Sequence, residues 1–331
     1  MTLRPQVPGD LVIMSILNAP IAALAWLGRQ GTRALAASIF LGLAVPPLAA
    51  YVKPYLGETV FVLLLLSYLR TDPSAFGRHV KSPGLAIAAA LWVMVAVPLL
   101  FGGALAFSGV REALPAIYPI VILHLATTPI TSSAAFAALM GLDAAFALAA
   151  LLISCALAPV TTVSFSYVFL GTSLFSPLEL GAKLFFFFAA SGAVAYAIRR
   201  VAGQEWIEAQ KDPIDGLNVI SMFIFAVAAM EGVQRNVMAE PLFALELLAV
   251  VSGFTCLLIG LSALVFLRAG AERGLAIGLL AAFRNLGVIM AALGTTLPDQ
   301  AWFYFAMVQF PIYLLPALVK RLARRLPKAE A

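Results

Sequence analysis

Residues 116–140 read AIYPIVILHLATTPITSSAAFAALM. The stretch is long and apolar enough to cross a bilayer, yet its middle, His124 to Ser133, holds five hydroxyls and a proline. No water reaches that depth to satisfy a broken backbone, so a helix is interrupted there only where other groups re-bond what is freed or line a cavity. Pro129 removes one donor and clashes with the carbonyl four residues back. Thr127, Thr128, Thr131, Ser132 and Ser133 could then line a cavity or re-satisfy the backbone. A simple proline kink with hydroxyls bonded back to carbonyls is the alternative.

The rest of the chain supports a bilayer setting. Of 331 residues 63% are hydrophobic and 11% charged, where a soluble domain carries about 25% charged residues. Continuous apolar runs rich in Ala, Leu and Gly favour helices over barrel strands, whose mark is alternation. The reading is an all-α integral membrane protein, since about ten spans of about 20 residues use roughly 200 residues. The predicted spans are Ala34–Val52, Pro54–Leu69, Gly84–Phe107, Ala116–Met140, Ala144–Leu170, Leu178–Ile198, Ile214–Ala229, Pro241–Leu267, Leu275–Leu293 and Ala301–Val319, numbered 1 to 10. The net charge of +5 is spread between apolar runs and forms no patch for nucleic acid. Cys155 and Cys256 have no second ligand at metal spacing.

Cytoplasmic loops are enriched in Lys and Arg. With ten spans and the N-terminus inside, Arg4, Arg29, Arg33, Arg70, Arg78, Lys81, Arg199, Arg200, Lys211, Arg268, Arg273, Lys320, Arg321, Arg324, Arg325 and Lys328 fall inside, and Lys53, Arg111 and Arg235 outside. This predicts a multi-pass protein of the cell inner (plasma) membrane with both termini cytoplasmic. Leu11–Leu27, interrupted by Asn18 and Pro20, reads as an interfacial or half-buried helix within an N-terminal segment 1–33. A signal peptide is disfavoured by Asp10 and the lack of a clear cleavage site. Five spans in 34–170 and five in 178–319 fit two repeats, and an odd number per half makes them inverted. A basic tail, 320–331, follows. Arg199–Asp215 reads as the one long charged loop.

Span 9 carries Arg284-Asn285-x-Gly287 about 15 Å from its cytoplasmic end. A charge at the bilayer centre costs about 2.5 to 3.5 kcal/mol and marks a site by default. A structural pairing of Arg284, for instance with Glu246, is the other reading. His124 could carry a coupling proton or simply be hydrogen-bonded. Gln309 in span 10 could donate to a ligand. Glu179 with Lys183, and Glu231 with Arg235, are expected to pair locally. Nothing in the sequence supplies a phosphate loop, a metal cluster or a nucleophile with its base, so no enzyme activity and no cofactor are expected.

The chain resembles the bile acid:sodium symporter family, within the wider group that includes arsenite exporters and auxin efflux carriers. The resemblance rests on DPSAFGRHVKSP at 72–83, Val97-Pro98-Leu99, the hydroxyl run ending at Gly141, Ala158-Pro159 and Arg284-Asn285-x-Gly287, and extends from about Ala34 to Val319. It implies that spans 4 and 9 are discontinuous at the midplane and cross, between a core bundle (spans 3, 4, 5, 8, 9 and 10) and a panel (1, 2, 6 and 7). The family's Ser-Asn and Gln-Asn pairs match Ser132-Ser133 and Arg284-Asn285. Its sodium ligands do not carry over: the acidic residue of span 9 is Leu280, the glutamine of span 3 is Val93, and Ala147 and Leu151 replace hydroxyls in span 5. The guanidinium of Arg284 would repel a cation at close range. The expectation is a secondary transporter for a small organic anion, without the family's sodium sites, in which Arg284 supplies positive charge and grips the anion bidentately. The substrate site is expected at Thr127, Thr128, Thr131, Ser132, Ser133, Arg284, Asn285 and Gln309, with His124 as a possible proton carrier. The alternatives are a sodium-coupled organic anion symporter with rebuilt ion sites, or a non-transporting membrane protein that only binds its ligand.

Overall fold

A computed structural model describes residues 22, 26, 37–70, 83–172 and 175–323. The N-terminal segment, most of the 72–83 stretch with Arg78 and Lys81, and the end of the basic tail lie outside these. Among the described residues the chain is 87% helical with no strands. Six helical stretches are long and apolar enough to cross a membrane: Pro46–Arg70, Pro83–Ala106, Ala144–Leu170, Pro177–Ala202, Lys211–Ala239 and Pro241–Val265.

In chain order, α1 covers 37–44, α2 Pro46–Val52, α3 Leu56–Arg70, α4 Pro83–Leu91, α5 Gly103–Ala106, α6 Val110–Ala113, α7 Tyr118–Ala126, α8 Ser133–Met140 and α9 Ala144–Leu170. Then follow α10 Pro177–Ala202, α11 Gln204–Ala209, α12 Lys211–Ala229, α13 Val233–Ala239, α14 Pro241–Val265, α15 Ala271–Ala282, α16 Leu286–Leu293 and α17 Asp299–Ala323.

The boundary between predicted spans 1 and 2 is corrected. Lys53-Pro54 does not end a helix. Lys53–Tyr55 winds as a single 3₁₀ turn between α2 and α3, and the break lies at Val45, which leaves the helical region at φ −127°, ψ 71°. Pro46 and Pro47 fall in the first turn of α2, where their missing N–H groups cost nothing. Arg199–Asp215 is likewise no loop: α10 runs through the arginines to Ala202, and α11 and the start of α12 take up the remainder.

Helices α10 and α12 pack on α3, with α2 on α12, as a first group, and α4, α7, α8, α9, α14, α15 and α17 form a second. Helix α16, which continues α15, packs mainly against α3 and α10 and so lies between the two, and α9 also packs on α10. Within the second, α14 and α15 approach so closely that a Cβ on Gly278 would lie 2.7 Å from the Ile259 carbonyl oxygen, and one on Gly274 3.0 Å from that of Ala263. Small residues at such faces let backbones meet, the main source of packing energy between helices in lipid.

Ion pairs join distant parts of the chain. Lys53 pairs with Glu231 at 2.6 Å and Arg273 with Asp143 at 3.2 Å, and Arg70 pairs with Asp215. Each joins residues that the charge count places on one side. The Lys183–Glu179 pair is local as expected, at 2.8 Å. Glu231 is corrected: its partner is Lys53, across the first group.

Candidate functional site

Two helices of the second group are broken at mid-depth, and their breaks meet. Helix α7 stops at Ala126 and α8 resumes at Ser133; α15 stops at Ala282 and α16 resumes at Leu286. Each half is 8 to 12 residues long, too short to cross alone. The two gaps pair as a short antiparallel bridge between Pro129 and Arg284. Ile130 N–H donates to Phe283 C=O at 2.8 Å, and Asn285 N–H to Thr128 C=O at 2.7 Å. The Thr127 hydroxyl adds a bond to Asn285 C=O at 3.2 Å. Pro129 thus interrupts the helix, as its chemistry suggests, and the other broken helix re-bonds the freed backbone.

That exchange releases carbonyls, and Arg284 collects them. In a continuous helix Ala281 C=O would accept from Asn285 N–H, but that donor has gone to Thr128. Thr127 is extended (ψ 168°) and lies past the end of α7. The third carbonyl comes from the helix that begins with α4, which widens into two π-turns, Trp92–Ala96 and Pro98–Gly102. There Val97 N–H reaches back five residues to Trp92 C=O, so the donor due to Val93 C=O would be that of Pro98, which has none. Arg284 donates from Nε to Ala281 C=O at 2.7 Å, from Nη1 to Thr127 C=O at 2.9 Å and from Nη2 to Val93 C=O at 2.8 Å. The side chain is buried, at 2% exposure.

This corrects one expectation: among the described residues Arg284 has no carboxylate partner, Glu246 included. Three of the five N–H groups of its guanidinium go to main-chain carbonyls and hold the crossover together. Two of its three acceptors are the C-terminal ends of α7 and α15, where the helix dipoles are negative. The opposite, positive ends of α8 and α16 are left for something else.

The start of α16, Leu286 and Gly287, lines a cavity of about 40 Å³ at the seam between the two groups, and Ser132 lies on it just before α8. Thr131, Ser132, Arg284, Asn285 and Gln309 line it, opposite Val60, Leu63, Asn218, Met222 and Phe225 of α3 and α12. It shares Thr131, Ser132 and Asn218 with a wider cavity of about 290 Å³ that reaches the Arg70–Asp215 pair. The shared residues place the two cavities side by side between the crossover and the Arg70–Asp215 pair.

Five of the eight expected substrate residues therefore meet in one place. The other three do not reach it. Thr127 spends its hydroxyl on Asn285, and the hydroxyls of Thr128 and Ser133 are buried without a hydrogen-bond partner. His124 also lies off the cavity: its Nδ1 meets the Tyr304 hydroxyl at 2.8 Å inside the second group, which favours the structural reading over proton carriage. Asn218 was not anticipated, although a lone amide in the apolar span 7 was a visible signal. Its Nδ2 has only the Met222 sulfur, at 3.7 Å. Tyr304→Phe is expected to cost about 1 kcal/mol of stability by unpairing His124, while leaving ligand-induced stabilisation unchanged. A lost ligand response, read by thermal unfolding, would return His124 to the site.

Neither the known protein families nor the curated sequences match this chain. At the positions where the family resemblance would put sodium ligands, Leu280, Val93, Ala147 and Leu151 are buried apolar residues, and the carbonyls of Ala281, Thr127 and Val93 accept from the Arg284 guanidinium. Among the described residues no cluster of His, Cys, Asp or Glu could hold a metal.

Proposed function

We propose that the protein is a secondary transporter that moves a small organic anion by alternating access at the seam between the two helix groups, without a sodium site. The observation that carries this reading is the polarity of the crossover. Arg284 donates to carbonyls at the ends of α7 and α15, while the positive start of α16, with Thr131, Ser132, Asn285, Gln309 and Arg284 itself, lines the cavity. Half-helix N-termini each carry roughly half a positive charge and present unpaired N–H groups, which suit an anion and disfavour a cation. The resemblance to the bile acid:sodium symporter family supports the same architecture, with the first group as panel and the second as core. An inside-negative potential opposes entry of an uncompensated anion by about 2.3 kcal/mol per charge per 100 mV, so export or exchange needs no coupling ion.

The test is thermal unfolding of purified protein against a panel of small mono- and dicarboxylates, in sodium or choline chloride, for wild type and Asn285→Ala. An anion that stabilises wild type equally in both salts and fails on the variant supports the site, because selective binding to the native state raises stability by mass action. Stabilisation that requires sodium would instead favour a symporter with rebuilt ion sites. Counterflow of the same anion, labelled, in liposomes separates a carrier from a protein that only binds.

A further inference from the structure

The seam between the groups is pinned at both ends. Near Arg70, the Ser67 hydroxyl on α3 donates to Thr131 C=O of the crossover at 3.2 Å. At the other end, the Lys53 ammonium lies 4.6 Å from the centroid of the Trp302 ring on α17. The ion pairs beside these pins behave differently. Arg70–Asp215 lies wholly within the first group, and Lys53–Glu231 joins its α2–α3 turn to the residue just past α12, so both can survive a movement of one group against the other. The pins cannot.

A cavity of about 450 Å³ opens beside the second pin. One wall is the α2–α3 stretch with Lys53, Gly57 and Glu58; the other is Met290, Ala291 and Gly294 of the α16 end with Trp302. A thin layer separates it from the crossover cavity. A Cβ on Gly57 would lie 3.9 Å from Ala291, and one on Gly287 2.6 Å from the Phe225 ring. Trp302 also connects inward. Its ring meets Phe305 edge-on at 6.2 Å, and Phe305 meets Phe225, a wall of the crossover cavity, at 5.7 Å.

We infer that Lys53 and Trp302 form the closing contact of the transport seam at the Lys53 end, with Glu231 as the positioning residue that holds the ammonium over the ring. The inference rests on the proposed movement of the two groups. Lys53 and Glu231 are each about one-third exposed, and a cation over an indole face is worth more as water is excluded from it. A ligand that shifts Phe225 acts on this contact through Phe305.

The test needs no substrate. Thr131→Cys, placed in full-length protein with Cys256→Ala, is labelled with a membrane-impermeant maleimide in intact cells and in inverted vesicles. Exposed Glu58→Cys identifies which preparation reaches the Lys53 end. The parent is expected to label from the Arg70 end. Adding Trp302→Ala should raise labelling from the Lys53 end about fivefold, the weight of one partly exposed cation–π contact in a two-state balance. Lys53→Gln should do the same, Glu231→Gln should do so in part, and Trp302→Phe should stay near the parent. If Trp302→Ala and Lys53→Gln both leave the Lys53-end rate at the parent value, the contact does not close the seam. Labelling of the parent from neither end would overturn the transport pathway itself, and the closing contact with it.

Discussion

Arg284→Ala is expected to lower the unfolding free energy by about 3 kcal/mol, since each buried carbonyl left without a donor costs about 1–3 kcal/mol and relief of the buried charge offsets part of the total. Three carbonyls from three segments lose their donors at once: Val93, Thr127 and Ala281. Arg284→Lys should recover less than half, because one ammonium on a flexible stem cannot reproduce the planar spread of Nε, Nη1 and Nη2. Thermal unfolding in detergent measures both. An alanine variant as stable as wild type would mean that the carbonyls find other donors and that the guanidinium is held for another purpose. Because this residue supports the crossover, its loss should also abolish ligand response without reporting on direct contact. Asn285→Ala is the cleaner probe of binding.

The second large effect is expected at Gly278. A side chain there meets backbone, the Ile259 carbonyl at 2.7 Å and Cα at 3.0 Å, so no rotamer change relieves the overlap and α14 must move off α15. Overpacking of a close interface costs about 1–3 kcal/mol for small insertions. Gly278→Ala should fall in that range and Gly278→Val beyond it, with reduced yield of folded protein. Gly253, on α14, is the control: a Cβ there meets nothing within 4 Å, and Gly253→Ala should be neutral or stabilising by up to about 1 kcal/mol from helix propensity. Equal tolerance at both positions, scored by thermal unfolding, would show that the two helices do not pack this closely in the membrane.

Much of the architecture was legible in residue chemistry. Apolar run length identifies helices, Pro129 with its hydroxyls points to a break or a kink in span 4, and an arginine ten residues deep marks a candidate site in span 9, whose break only the family resemblance implied. Local patterns misled where proline has two uses. Pro54 suggested a boundary but is carried within a 3₁₀ turn, while the actual break lies at Val45, which Pro46-Pro47 push out of the helical region.

Partners were the other gap. A buried arginine must satisfy its donors, and that much follows from sequence. Carboxylates are the obvious acceptors, but here the acceptors are main-chain carbonyls, which carry no mark in the amino-acid string. Val93 C=O is free because Pro98 lies five residues on in a π-turn, and Ala281 C=O because Asn285 N–H turns to a residue 157 positions earlier. Sequence by itself therefore determined the helical class and the presence of one positive charge deep in an apolar span, since these follow from local apolarity and residue chemistry, and it left a break at Pro129 open beside a simple kink. Only the tertiary structure decided that span 4 is broken, that Arg284 bonds three main-chain carbonyls of the crossover and that the start of α16 lines the cavity, because hydrogen bonds between distant segments depend on how the chain comes together.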